Sequence, residues 1–432
     1  MSSQMRLPPN HQLRFELADE VHARPPEALV APTKLTFLAC FSDRSLRQAE
    51  WQAVTALAER YGVRPPAEHA NHYSTDLGPF RLKWERHTEF SRYKFIAAKD
   101  GDAPFATSAL EVVPEDWIAT IPGEIMVAAH VVIRPAGMAV LEHDAVSAAY
   151  FGGNPMVGSI LSGGAAAAFT DFRIHEDGFS RFLIEDRSSA PRQAGRLVQR
   201  LLEIDTYRIM AMLALPVAKR LTPALDKGER ELAAITNALV GTDDRSEPEL
   251  LDRLTRLQAE IESDDADSQF RFSAAAAYYD LVQRRIADLR EERIQGLQTF
   301  QEFIERRLAP AMNTCSSMTK RQETLSQHLM RATQLLSTRV SIASERQNQA
   351  ILESMNRRAE LQVRLQETVE GLSIAAITYY IVGLVSYLVK GLKAGGVGLN
   401  TELITALSIP VVVVTVALGV RKIRAMITGH TD

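Results

Sequence analysis

Two stretches near the C-terminal end of the chain carry no charge at all. Residues 372–389 form the first and residues 403–420 the second, which contains the run Val411-Val412-Val413-Val414. Each is about 18 residues, near the lower limit of the ~17–25 that cross ~30 Å of hydrocarbon as a helix. Their borders are sharply charged: Glu370 precedes the first and Lys390 and Lys393 follow it, while Glu402 precedes the second and Arg421, Lys422 and Arg424 follow it. Core helices rarely go uncharged for so long, so the pattern predicts a two-helix transmembrane hairpin over residues 371–424, with a tail at 425–432. The link, residues 390–402, is short and glycine-rich. Arg357, Arg358 and Arg364 join the three cations after the second span to outvote Lys390 and Lys393 in the link. This bias predicts a cytosolic body and a cytosolic tail. Residues 1–20 mix charges and prolines with no apolar stretch, so they do not read as a signal peptide.

Residues 1–190 read as an α+β domain on one sheet. Residues 35–41 are a short apolar, aromatic-rich strand. Trp51, Val54, Leu57 and Ala58 repeat at helical spacing before Gly62. Residues 81–85 and 93–97 look like strands, and the apolar run 125–133, stopped by Pro135, suits a central strand. Residues 169–175 and 179–184 flank Asp177-Gly178, a pair favoured in type I′ hairpin turns. The alternation Lys83-Trp84-Glu85-Arg86-His87-Thr88-Glu89 predicts a strand with one wet face.

From residue 191 the texture becomes helical, and residues 191–370 read as a stalk region. Leu197, Leu201, Ile204, Tyr207 and Ala211 form one stripe, which Pro216 and Pro223 should interrupt. Leu250, Leu254, Leu257 and Ile261 form another after a turn at residues 241–244, and residues 263–267 read as an acidic break. From Ala311 a helix can run unbroken into the first span, on the order of 100 Å long at 1.5 Å per residue; whether it continues through Pro310 stays open. Its apolar stripe is narrow, including Leu325, Leu329, Leu336, Ile351, Met355, Leu361, Leu365 and Val369. Such a stripe suits coiled-coil contact with another helix, supplied either by a second copy or by the chain's own earlier helices. With 27 acidic against 26 basic residues, this region is a solvated surface and not an anion groove.

Over the whole chain, 49 Lys and Arg against 53 Asp and Glu give a net charge of −4, which offers no electrostatic case for nucleic acid. Two cysteines, Cys40 and Cys315, exclude a disulfide framework and a cysteine-based zinc site. Candidate chemistry is sparse. Glu20-Val21-His22-Ala23-Arg24-Pro25-Pro26 places Glu20, His22 and Arg24 before a rigid diproline, a ligand-binding or interaction corner or else a surface loop. His69 and His72 stand at i, i+3, which could bring two imidazoles to one metal, but no third ligand is adjacent. The glycine-rich residues 152–164 lack the Lys-Ser/Thr pair of a phosphate-binding loop and read as a flexible connection. No nucleophile elbow or His-Glu-x-x-His is present, and no catalytic residue or cofactor is assigned. In the first span Tyr379, Gly383 and Ser386 share one face, which suits a helix–helix interface or a pore lining. Neither span holds an ionisable Asp, Glu, Lys or Arg, which argues against a proton relay.

Three segments, residues 20–26, 80–90 (Phe80-Arg81-Leu82-Lys83-Trp84-Glu85-Arg86-His87-Thr88-Glu89-Phe90) and 170–178 (Thr170-Asp171-Phe172-Arg173-Ile174-His175-Glu176-Asp177-Gly178), together with the two spans, resemble a bacterial family of membrane-anchored proteins, DUF3422. The resemblance covers nearly the whole chain and implies membrane anchoring. In layout alone the chain is similar to CorA-type magnesium channels. Those carry Gly-Met-Asn at the outer end of the first span, where this chain has Leu384-Val385-Ser386-Tyr387-Leu388-Val389-Lys390-Gly391.

The expectation is an α+β cytosolic domain, a long helical, coiled-coil-like stalk and a two-helix hairpin in the bacterial inner membrane, with both termini cytoplasmic. Its expected partners are the lipid bilayer and further copies of itself, as an oligomeric structural or interaction module. A CorA-like cation channel is the first alternative and a membrane-tethered enzyme the second.

Overall fold

The computed structural model describes residues 8–428 except 16, 19–24, 69, 99–103, 137–141, 242–245, 397 and 399. Nine strands form one mixed sheet: β1 (Thr33–Phe41), β2 (His72–Asp76), β3 (Arg81–Arg86), β4 (Phe90–Ala97), β5 (Glu124–Pro135), β6 (Val157–Leu161), β7 (Ala166–Thr170), β8 (Ser180–Asp186) and β9 (Glu292–Arg293), in the order β2-β3-β4-β1-β5-β8-β7-β6-β9. Neighbours are antiparallel except β5 and β8, which are parallel. β5 is central and buried over most of its length, so its unbroken apolar run reflects cover on both faces.

Eight helices are referred to below: α1 (Arg47–Arg60), α2 (His143–Tyr150), α3 (Pro191–Met212), α4 (Ala214–Gly241), α5 (Glu247–Leu289), α6 (Phe300–Arg307), α7 (Ala309–Ala394) and α8 (Thr401–Thr428). α1 covers one sheet face, where Val54 and Leu57 meet Leu82, Trp84, Tyr93 and Phe95. Around α2, Val146 and Phe151 pack with Val132, Phe169 and Leu183 in a second core. α3 lies against β5 and buries Leu197, Leu201 and Ile204.

The chain divides into two compact units: residues 1–240 with 252–332, and residues 241–251 with 333–432. The first holds the sheet and α1, α2, α3 and α6. In the second, the buried Glu247 pairs with Arg339 of α7. This unit also contains an apolar stretch of α7 and the helix Thr401–Ile423, which among the described residues are the two helices long and apolar enough to cross a membrane.

Several expectations change. β7 and β8 do pair, but the connection is the whole of 171–179 and not a two-residue turn. Phe172, at φ 53°, is buried and stacks on Phe303 at 4.5 Å, and that packing draws the segment off the ladder. The glycine-rich stretch contains a strand, β6. A Cβ on Gly158 would lie 2.8 Å from the Phe169 ring and 2.9 Å from Leu297, so this glycine answers to packing. The acidic residues 263–267 do not break α5, because Ile261, Ser268 and Phe272 are buried on either side and hold the helix. Pro223 sits inside α4. α6 and α7 are separated at Leu308, and Pro310 falls in the first turn of α7, where a missing N–H costs nothing.

Candidate functional site

The alternation in residues 81–94 builds a buried ionic layer. β3 and β4 pair with Lys83 opposite Lys94 and Glu85 opposite Arg92. Side chains alternate along a strand, so these four share one face. The expected wet face is dry: exposure is 3% for Lys83, 1% for Glu85, 3% for Arg92 and 4% for Lys94. Helices α3 and α5 cover it with charges of their own.

Two lysines directly opposite repel, and Glu85 offsets this from the centre. Its Oε1 is 3.3 Å from Lys83 Nζ, and its Oε2 is 2.9 Å from Arg92 Nη2 and 3.8 Å from Lys94 Nζ. From α3, Glu203 lies 3.5 Å from Arg92 Nη1, accepts from Gln199 at 2.8 Å and pairs with Arg285 of α5. The Pro25 carbonyl accepts from Lys83 Nζ at 2.6 Å. Glu27 stands 3.9 Å from Lys83 and 3.5 Å from Arg81. At the β3–β4 turn, Glu89 pairs with Arg271 of α5 and accepts from the Tyr278 hydroxyl at 2.9 Å.

Burial alone would raise the pKa of Glu85, but Arg92, Lys94, Lys83 and His87 overcome it and hold the carboxyl at about 2. Burial lowers Lys94 to about 8; the pull of Glu85 only partly opposes burial and the repulsion of Arg92 and Lys83. On the opposite sheet face, the fully buried Glu50 pairs with Arg86 at 2.7 Å and accepts from Ser42 at 2.5 Å.

Residues 170–178 meet the far end of α3. Arg208 lies over the Phe172 ring at 4.8 Å and donates to its carbonyl at 3.4 Å, and Ser180 donates to Asp205 at 3.2 Å. Of the motif segments singled out in the sequence, residues 170–178 meet α3, residues 80–90 reach it through Phe90 against the Tyr207 ring, and Pro25 reaches Lys83 of β3. The carboxylates of the layer already have cationic partners, and its four central residues line none of the three clefts described next. Its chemistry is that of a clamp. Breaking one partner of such a buried pair costs about 3–5 kcal/mol.

Three clefts lined by described residues of the first unit open to solvent. One of about 870 Å³ beside α2 is lined by Glu142, His143, Asp144, Asn154 and Gln298, among others. One of about 770 Å³ between α5 and α7 includes Asp265, Tyr279, Cys315, Lys320 and Glu323. There burial, then Glu262 and Glu323, raises the pKa of Asp265. The third, about 270 Å³, is lined by Ser162, Gln193, Arg196, Arg200, Ala287, Asp288 and Arg290. Among the described residues no group of three or more His, Cys, Asp or Glu is placed to hold a metal.

Glu20, His22 and Arg24 lie outside the described residues, as does His69; His72 is on β2, opposite Glu85. Tyr379 is exposed, a Cβ on Gly383 would meet nothing within 4 Å, and Ser386 is half-buried. The buried positions of that stretch are Thr378 and Val389. Sequence reasoning missed Glu203, Arg285 and the arginines of the smallest cleft. The spacing Arg192, Arg196, Arg200, one helical turn apart, was the available signal.

These features define a mixed-sheet α+β unit clamped by buried ion pairs, followed by a long helix and two apolar membrane-length segments. The chain belongs to the family "Protein of unknown function (DUF3422)", whose model matches residues 9–427. No curated protein and no solved structure matches it, and the layout analogy to CorA-type channels gains no support from these comparisons.

Proposed function

We propose that this protein is an integral protein of the bacterial inner membrane whose sheet-bearing unit serves in the cytosol as an interaction module, and that copies assemble along α7. One observation carries the reading. Beyond the turns buried in the first unit, α7 leaves Ile351, Met355, Leu361, Leu365 and Val369 each at least half exposed, among Arg357, Arg358 and Arg364. A narrow apolar stripe edged with charge is matched by one more helix of the same kind, and a second copy supplies it. Anchoring in a bilayer confines copies to two dimensions and favours such pairing. The closed ionic layer, with Glu85 at its centre, suits a rigid scaffold.

The test is fractionation and particle mass. Full-length protein should stay in membranes through alkaline carbonate extraction and elute from mild detergent as an oligomer by light scattering corrected for bound detergent. Extraction by carbonate would sink the anchor, and a strictly monomeric particle would sink the assembly.

A further inference from the structure

We propose that the smallest cleft is a binding site for a phosphate monoester. Three elements form it: α3 through Gln193, Arg196 and Arg200, the β6–β7 turn through Ser162, and the end of α5 through Ala287, Asp288 and Arg290. Three guanidinium groups face a single carboxylate, and that carboxylate is occupied. Asp288 is 3.7 Å from Arg200 Nε and 3.3 Å from Arg285 Nη1. The neighbouring Glu291 is spent on the start of α6, accepting from the Phe300 and Gln301 amides at 2.9 and 2.8 Å.

The negative end of α5 does not cancel the site either. Its last three carbonyls are capped: Ala287 by the Arg290 amide, Asp288 by Arg200 Nη1, and Leu289 by the Ser162 amide at 2.9 Å. What remains is Arg196 and Arg290, both exposed, with no ion pair from either guanidinium among the described residues.

The backbone adds a second, independent observation. Among the described residues only four that are not glycine have positive φ, and two of them, Ser162 at 56° and Arg290 at 50°, line this one cleft. Both positions would cost less as glycine, yet both carry side chains that reach the cleft. Left-handed non-glycine residues concentrate at ligand sites. Guanidinium forks bind phosphate oxygens in pairs, and two unspent cations match a dianion better than a singly charged carboxylate. At about 270 Å³ the cleft falls below the ~300–1,000 Å³ of drug-sized ligand pockets. It fits a phosphate with a small organic group, not a nucleotide. That chemistry occurs in a soluble phosphomonoester and in a lipid headgroup such as that of phosphatidic acid.

The experiment uses the full chain in detergent. Inorganic phosphate and glycerol 3-phosphate are titrated by calorimetry, and micelles doped with phosphatidic acid are compared with micelles doped with the diester phosphatidylglycerol. Saturable binding by the soluble phosphates supports the site and makes its ligand soluble. Binding of phosphatidic acid alone, over phosphatidylglycerol, supports it with a lipid headgroup as ligand. Arg196→Gln and Arg290→Asn should each weaken binding roughly tenfold or more with an unchanged melting midpoint, since neither side chain has an ion-pair partner to lose among the described residues. Asn at 290 tolerates the left-handed backbone. Arg256→Gln, elsewhere on α5, should leave binding intact. Absence of saturable binding to every probe would overturn the proposal, and so would undiminished binding by the variant that combines Arg196→Gln with Arg290→Asn, or equal loss in Arg256→Gln.

Discussion

The carbonyl oxygen of Glu27 lies 1.6 Å from where a Cβ on Gly195 would stand. The extended segment before β1 therefore crosses α3 with main chain against main chain. It is held on one side by the Leu29 amide on the Pro191 carbonyl at 3.0 Å, and on the other by Lys83 on the Pro25 carbonyl. Only glycine admits that crossing, which brings Glu27 and the Pro25 carbonyl up to the ionic layer.

Gly195→Ala should accordingly destabilise the first unit by about 1–3 kcal/mol, the usual cost of overpacking, even though alanine is the better helix former. The melting midpoint of the variant measures this; a stabilised variant would contradict the crossing.

Glu85→Gln leaves Lys83, Arg92 and Lys94 around a neutral amide. A loss of about 3–5 kcal/mol is expected, read from urea unfolding of the first unit's signal in the full chain. Because the carboxyl falls from 4.5 to about 2 on folding, its contribution is complete above pH 4.5 and is lost as the pH drops toward 2. The variant should lack that part of the acid transition.

His130 supplies a second, separable acid response. It accepts or donates to Thr36 at 2.9 Å and stacks on Phe179 at 4.0 Å between centroids. Burial lowers its pKa from 6.5 to about 4, with Asp177 opposing and Arg181 adding to the shift. The unfolded chain thus takes up a proton that the folded one refuses between these values. Stability should fall as the pH drops from 6.5 to 4 and be unaffected by this residue above 6.5. Melting His130→Asn across that range should show a shallower slope than the parent.

Leu365→Cys tests the assembly along α7. Both native cysteines, Cys40 and Cys315, are buried, and burial, then Glu50, raises the Cys40 thiol to about 12. A new thiol on the exposed stripe should therefore be the reactive one. Mild oxidation in membranes is expected to give a disulfide-linked dimer on a non-reducing gel, whereas cysteine at the equally charged-flanked Glu360 should cross-link far less. Equal yields at the two positions would place no interface on the stripe.

Much of the local structure was legible because it is periodic. Apolar runs mark β1 and β5, the Leu197–Leu201–Ile204 stripe marks α3, and the uncharged stretches mark the two membrane-length segments. What misled were signals whose meaning depends on neighbours. Asp177-Gly178 promised a tight turn until Phe172 found the rings of Phe300 and Phe303. Residues 263–267 looked like a break because acidic clustering is visible in sequence and the buried flanks of α5 are not.

By itself the sequence determined the type of the strongly periodic elements, the charge alternation of β3 and β4, and the length of apolar helix available to a bilayer, since each depends on spacing within one segment. The tertiary structure alone decided that the charged face is dry. Alternation says which residues share a face, but only Glu203 and Arg285, more than a hundred residues away, decide whether that face meets water or ion pairs. The arginine cleft follows the same rule. Its residues come from 162, 193–200 and 287–290, so their charges add up at one point only after the chain has folded.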